Sequence, residues 1–430
     1  MARHPANRDP QQLRLGGTMA RHGRLPTTTV MKSLGKGIAM VMGVILVSAV
    51  TFGGIVYANL QSGVETFELA DNSEQQDPTN IFEGGVNILL VGSDSRADAD
   101  GNVAAGQSEG VLNDVNMIFH LSEDHSNATV VSIPRDTLVS RPDCTGDDGE
   151  QHYAQDGVMI NSILNDGGMN CIVSTVEEMS GIDIQYAGMI MFNGVIEMSN
   201  AVGGVEVCVE QPINDTYSDL YLDAGYHSLQ GEEALKFLRT RHGVGDGSDL
   251  ARIENQQVFL SSLMRTVKSN ETLTNPTKVY GLARAATQNM VLSSNLNSVD
   301  TLVSLANALA QVPLNQFTFV RLPVVDSEWQ AGRVEPAYPD ADQMWELIAN
   351  DQPLNLGAGE EEPADAGDET SDAGEGSEDG SESTADDSTS TAEGSDEVEG
   401  PGVTQDATPT PDLSGQTADT ESCSNSGGLF

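Results

Sequence analysis

The stretch KFLRTRHGVGDGSDLARIENQQ (Lys236–Gln257) places three arginines and a lysine within 17 residues of a chain whose formal net charge is -45. If the chain extends after Leu238, the two-residue period of a strand sends Arg239 and Arg241 to one face, where paired guanidiniums make a strong anion site. The segment that follows reads as a helix with Ser248 or Asp249 as its N-cap. Asp249, Arg252 and Gln256 then fall at i, i+3 and i+7, one stripe on its first turns. A helix N-terminus, an arginine, a glutamine and a facing arginine pair together describe a phosphate cradle. The competing reading pairs Arg252 with Asp249 or Glu254 and leaves Arg239 and Arg241 to neutralise an acidic surface.

Other chemistry-bearing residues stand at the ends of apolar runs. SIPRD puts Arg135 and Asp136 at the exit of one run, VGSDSR puts Asp94 and Arg96 at the exit of another, and Asp114 precedes a third. Loops at strand ends are where sites of α/β sheets commonly assemble. Asp94 and Asp114 are hard oxygen donors without His or Cys companions, a set suited to Mg²⁺ or Mn²⁺ bound together with phosphate oxygens. Together with the arginines they point to metal-assisted phosphate chemistry, in which the phosphate charge is neutralised by such groups and a carboxylate, Asp94 or Asp249, could take a proton.

The elements that must position these residues alternate. Val86–Gly92, Val115–Leu121 and Ala128–Pro134 read as strands, and MNCIVSTVEEMSGI as a helix stopped by Gly181. YAGMIMF and VEVCVE read as strands on either side of a helical NGVIEMSNAVGG. Glu232–Leu238, the segment from Asp249, Pro276–Asn289, Ser298–Gln311 and Ala341–Asn350 read as helices, and Phe317–Pro323 as a strand. The alternation predicts an α/β fold: a three-layer α-β-α domain with a mixed central sheet. An apolar groove between sheet and helices is one expectation, with Met189, Met191, Phe192 and Met264 either as its lining or, as such residues more often are, ordinary core.

Charge is unevenly spread. Residues 1–58 carry seven Lys or Arg and one Asp, whereas residues 360–430 carry 21 Asp or Glu and no Lys or Arg. So acidic a surface excludes nucleic acid as a partner, because phosphate neutralisation dominates that binding. Residues 37–58 are free of charge and, at about 1.5 Å per residue, long enough as a helix to cross a bilayer. A signal peptide has a shorter apolar core, so an uncleaved membrane anchor is expected, with its basic residues holding residues 1–36 in the cytoplasm. Residues 59–80 then form a stalk, 81–350 an extracytoplasmic domain in contact with membrane lipid, and 351–430 a disordered acidic tail. Outside the cytoplasm disulfides persist; Cys144 is expected to pair with Cys171, and Cys208 to be a buried thiol.

NILLVGSDSR, VVSIPRDTLV, INSILNDGG, AVGGVEVCV and ALKFLRTRHGVGDGSDLARIENQQ follow one another as successive blocks that resemble the LytR-CpsA-Psr family over about residues 81–325. The resemblance implies a membrane-anchored enzyme that moves a glycopolymer from a polyprenyl-pyrophosphate carrier to peptidoglycan, forming a phosphodiester. It implies that Arg135, Arg239, Arg241, Arg252 and Gln256 bind the pyrophosphate, that Asp94 and Asp114 hold the metal, and that Asp249 stands near the reacting centre. Arg96 matches a frequent family arginine. One departure is plain: the family's usual RSD is Leu112, Asn113 and Asp114 in this chain. The same residues would serve a pyrophosphatase with water as acceptor, and older family names suggest an envelope regulator. Residues 1–36 are too few for an ordinary DNA-binding domain.

Overall fold

The computed structural model describes residues 30–61, 65–70, 85–93, 112–269, 272, 275–296, 298–356, 411 and 413–424. It divides into two units, residues 1–58 and 59–430. The first contains most of helix α1 (Val30–Gln61), whose stretch Leu34–Val56 is long and apolar enough to cross a membrane, with a mean hydropathy of 2.3.

The second unit is built on an eight-stranded mixed sheet. Its strands are β1 (Glu65–Phe67), β2 (Val86–Ser93), β3 (Asn113–Leu121), β4 (Ala128–Ile133), β5 (Tyr186–Met191), β8 (Met290–Ser293), β9 (Phe317–Arg321) and β10 (Gly415–Thr417), in the order β1-β8-β5-β2-β3-β4-β9-β10. A smaller sheet pairs β6 (Val205–Val209) with β7 (Gly225–Leu229) on one side and β11 (Cys423–Ser424) on the other. The helices are α2 (Ile163–Ser180), α3 (Phe192–Val202), α4 (Glu232–Arg239), α5 (Asp249–Lys268), α6 (Pro276–Asn289), α7 (Val299–Gln311) and α8 (Asp340–Ala349).

Strand alternation makes the layers. On β2, Leu89 and Val91 join a core with Ile172 and Val176 of α2 and Trp345 of α8. Val86 and Ile88 point to the other face, where Phe119 and Phe317 stack and Leu260 of α5 and Leu305 of α7 cover them. A third cluster lies under α4 and α5, with Val205, Val207 and Leu229 of the small sheet against Phe237 and Phe259. The three-layer expectation is therefore met.

Two close approaches align the strand ends. A Cβ on Gly92 would sit 2.9 Å from Cβ of Val115, so glycine lets β2 and β3 come together where their register shifts. Ser93 is paired with Asn113 and Met191, and Arg321 with Ser132. The ends of β2, β4, β5 and β9 and the start of β3 thus lie along one edge of the sheet.

The structure corrects several boundaries. α1 runs to Gln61, and the stalk expected over residues 59–80 already contributes β1 and the buried Leu69. The domain does not close at residue 350, since Leu354 is buried. The disordered tail expected over residues 351–430 does not hold for residues 413–424. There β10 pairs antiparallel with β9 and β11 runs parallel to β6, with Leu413 and Ala418 in the cores. Cys144 and Cys171 are bonded as expected, while Cys208, expected as a thiol, is joined to Cys423. The physical reason is the registry of β6 with β11, which sets Cys208 opposite Cys423.

Candidate active site

α5 begins as its sequence requires. Ser248 is the N-cap, its hydroxyl accepting from the Ala251 amide at 3.3 Å, and Asp249 opens the helix. The preceding turn needs left-handed backbone at Gly245 and Gly247, and a Cβ at Gly245 would lie 2.9 Å from Cβ of Ala251. This tight turn brings the first turn of α5 against the ends of β3 and β4.

Four charged residues meet there. Arg252 Nη2 lies 2.5 Å from Asp249 Oδ1 and donates to the main-chain oxygen of Asp114 at 2.7 Å. Arg135 Nη1 donates to Asp114 Oδ1 at 2.5 Å, and the Arg135 amide donates to Asp249 Oδ2 at 3.2 Å. The guanidiniums and carboxylates alternate, so each charge has an opposite neighbour. Arg252 is only 4% exposed. Burial draws its pKa below the ordinary arginine value; Asp249 opposes this, while the positive charges of Arg241 and Arg135 add to it. Burial acts the same way on Arg135, but the hydrogen bond and charge of Asp114, with Asp136 and Asp249, outweigh it and raise its pKa.

The cleft beside this cluster is lined by Asn116, Ser132, Asp249, Arg252 and Gln256. Arg252 Nε and Asn116 Nδ2 are buried donors without hydrogen-bond partners among the described residues. Buried donors left unpaired are costly. Gln256, expected to touch the anion, lines this cleft while its Nε2 donates to the Leu238 main-chain oxygen at 3.1 Å and ties α5 to α4.

The expected pairing of Arg239 with Arg241 on an extended arm is not found. Arg239 is the last residue of α4, with its guanidinium 4.3 Å from the ring centroid of Phe192 at the start of α3. The chain becomes extended only at Thr240. Asp215, 1% exposed, holds this break: its carboxylate accepts from the Thr240 hydroxyl at 2.6 Å, the Arg241 amide at 3.3 Å and the Tyr217 amide at 2.8 Å. Burial opposes its charge, but these hydrogen bonds win and keep its pKa well below the usual carboxylate range. The break at Thr240 thus parts Arg241 from Arg239, which is directed toward α3.

Asp94 and Arg96 lie outside the described residues. Leu112, which stands where the resemblance expects arginine, is described, and its main-chain oxygen accepts from the Ser93 hydroxyl at 3.3 Å. The expected groove lining does not converge: Met189 packs on the α2 face of the sheet and Met264 on the α5 face, because β5 alternates and α5 covers only one side.

Five residues, Asp136, Arg333, Arg321, Asn116 and Asp215, were not singled out from sequence. Asp136, noted only as Arg135's neighbour, bridges Arg135 Nε at 3.7 Å and Arg333 Nη1 at 3.0 Å. Arg333 and Arg321 are two of the thirteen Lys and Arg in residues 59–359, and that scarcity was the available signal. Asn116 and Asp215 carried none, since each resembles any strand or turn residue.

The model of the LytR_cpsA_psr family matches residues 56–350. The cell wall biosynthesis protein LcpA of Corynebacterium glutamicum is 31% identical over 315 residues, covering 67% of this chain and 59% of LcpA, so the chain spans less than two thirds of that relative. The polyisoprenyl-teichoic acid–peptidoglycan teichoic acid transferase TagT of Bacillus subtilis is 28% identical over 250 residues, or 56% of this chain and 72% of TagT. A LytR-Csp2A-Psr enzyme from Actinomyces oris shares the fold, with a TM-score of 0.50 at 18% identity over 66% of this chain and 96% of that one. The family match, over more than half of the residues, shows that this chain belongs to the LytR_cpsA_psr family.

Proposed function

We propose that the protein is a phosphotransferase that moves a glycopolymer from a polyprenyl-pyrophosphate carrier to peptidoglycan. The observation that carries this reading is the alternating cluster of Asp114, Arg135, Asp249 and Arg252 at the N-terminus of α5, to whose positive field Arg241 adds. The names of the relatives, a cell wall biosynthesis protein and a teichoic acid–peptidoglycan transferase, support the substrate class.

In this reading the pyrophosphate replaces carboxylates as the partner of Arg135 and Arg252, and Arg241 adds a third positive charge. The acceptor hydroxyl attacks the phosphorus nearest the sugar. A phosphorus–oxygen bond forms to the acceptor, the bond to the bridging oxygen breaks, and polyprenyl monophosphate leaves. The acceptor proton passes to Asp249 or Asp94. The arginines offset charge that builds on the phosphate oxygens and on the leaving group.

Asp114 offers hard oxygens at the head of β3, which suits Mg²⁺ or Mn²⁺ shared with phosphate. Among the described residues no three His, Cys, Asp or Glu side chains are disposed to hold a metal ion, so the remaining positions would fall to phosphate, water or Asp94. Such an ion would supply further neutralisation of phosphate charge. The apolar helix α1 supports a single-pass anchor, with its N-terminus cytoplasmic and the domain outside.

The test is incubation of the full chain with a lipid-pyrophosphate-linked saccharide, peptidoglycan fragments and Mg²⁺. A phosphodiester-linked product by mass spectrometry supports the proposal; the absence of any product with Mg²⁺ or Mn²⁺ refutes it.

A further inference from the structure

A hairpin formed by Val324–Asp326 and Val334–Pro336 follows β9 at the site edge of the sheet. Its tip carries Trp329, 84% exposed, whereas Trp345, the only other tryptophan, is 4% exposed in the core. An indole left in water offers an apolar, π-rich face with a polar N–H at its edge, and such rings are enriched where proteins meet partners.

This turn is closely tied. The Ser327 hydroxyl accepts from the amides of Trp329 and Gln330, both at 3.2 Å, and donates to Glu335 Oε1 at 2.5 Å. The Ser327 amide donates to the Arg333 oxygen at 2.8 Å, and the Gln330 side chain donates to the Gly157 oxygen at 3.2 Å.

The turn is also joined to the phosphate cluster. Arg333 Nη1 donates to Asp136 Oδ1 at 3.0 Å, and the other oxygen of Asp136 lies 3.7 Å from Arg135 Nε. The Val334 amide adds a hydrogen bond to the Asp136 main-chain oxygen at 3.3 Å. One carboxylate thus links the turn that presents Trp329 to the arginine that anchors the reacting centre.

We infer that Trp329 is a stacking platform for the saccharide acceptor, a glycan strand whose pyranose face lies on the indole. The inference rests on the transferase reading. Charge decides between acceptor and donor: residues 324–336 contain Asp326, Glu328 and Glu335, and Arg333, their one cation, is engaged by Asp136. Such a surface repels a phosphate-bearing donor and suits an uncharged sugar, whose hydroxyls the carboxylates can accept from. Aromatic rings with few rotatable bonds lose little entropy when they dock a ligand.

The probe is chitotetraose, a β-linked N-acetylhexosamine chain, titrated calorimetrically into the full chain in detergent. Wild type is expected to bind it, with a change in tryptophan emission that reports Trp329. Trp329→Phe should keep a weakened interaction, and Trp329→Ala should lose at least about tenfold in affinity. Inorganic pyrophosphate should bind Trp329→Ala as it binds wild type. Equal chitotetraose affinity in wild type and Trp329→Ala, or no binding to wild type at millimolar concentrations, overturns the platform. If pyrophosphate fails to bind wild type while chitotetraose binds through Trp329, the platform stands and the transferase reading falls.

Discussion

Asp249 and Arg252, one turn apart on α5, meet through an Oδ1 to Nη2 contact of 2.5 Å in a setting where the arginine is almost wholly buried. Removing one partner of a buried pair leaves the other charge uncompensated, which costs far more than the pair itself contributes. Asp249→Ala should therefore destabilise the domain by about 3 kcal/mol in chemical denaturation as well as abolish transfer. Asp249→Asn, which keeps the shape, should fold better and still transfer poorly. A variant with Ala at 249 as stable as wild type would show that Arg252 is held by other means.

The two arginines at the end of α4 should separate in their effects. Arg241 bears on Arg252, while Arg239 leans on Phe192. Arg241→Ala should weaken pyrophosphate binding by at least about tenfold, equivalent to ~1.4 kcal/mol, and Arg239→Ala by less. Calorimetry with inorganic pyrophosphate makes the comparison, and a larger loss for Arg239→Ala would reverse the assignment.

Asp215 gives a pH signature. Its pKa is depressed from the ordinary value of 3.8, so its stabilising contribution is present above that value and disappears as pH falls toward the folded-state pKa. Asp215→Asn should cost about 1–3 kcal/mol at neutral pH through weakened hydrogen bonds to a buried site. The difference from wild type should shrink as pH drops below 3.8. Thermal melts of both proteins from neutral to acid pH follow this, and a gap constant with pH would contradict it.

Cys208–Cys423 closes a sequence separation of 215 residues and fastens β11 to the small sheet. Cys423→Ser should lower stability by about 2–5 kcal/mol, with the Cys144–Cys171 bond still formed. It should also expose residues 413–424 to proteolysis. Unchanged cleavage there would mean that the pairing of β10 with β9 suffices.

Most of the architecture was legible because it rests on local pattern. The apolar run VNILLVG, the αL stop at Gly181 and the cap at Ser248 are each decided within a few residues, and the structure reproduces them. The pairing of Cys144 with Cys171, 27 residues apart, was also within reach. What escaped depends on distant contacts. Residues 413–424 follow a strongly acidic stretch, and their strands form only because β9 and β6 present open edges far back in the chain. Arg239 was placed on an extended arm because sequence does not show that α4 continues through it, nor that Asp215 breaks the chain at Thr240. The role of Asp136 likewise depends on Arg333, 197 residues away.

The central claim is tested most directly by following the phosphorus. A donor labelled with ³²P at the phosphate next to the saccharide is incubated with the full chain, peptidoglycan fragments and Mg²⁺, and the products are separated. The account predicts that the label becomes covalently attached to peptidoglycan, that unlabelled polyprenyl monophosphate is released, and that Arg135→Ala abolishes both. Label recovered as free saccharide phosphate would make the protein a hydrolase, and label left on the lipid would contradict phosphoryl transfer at this site.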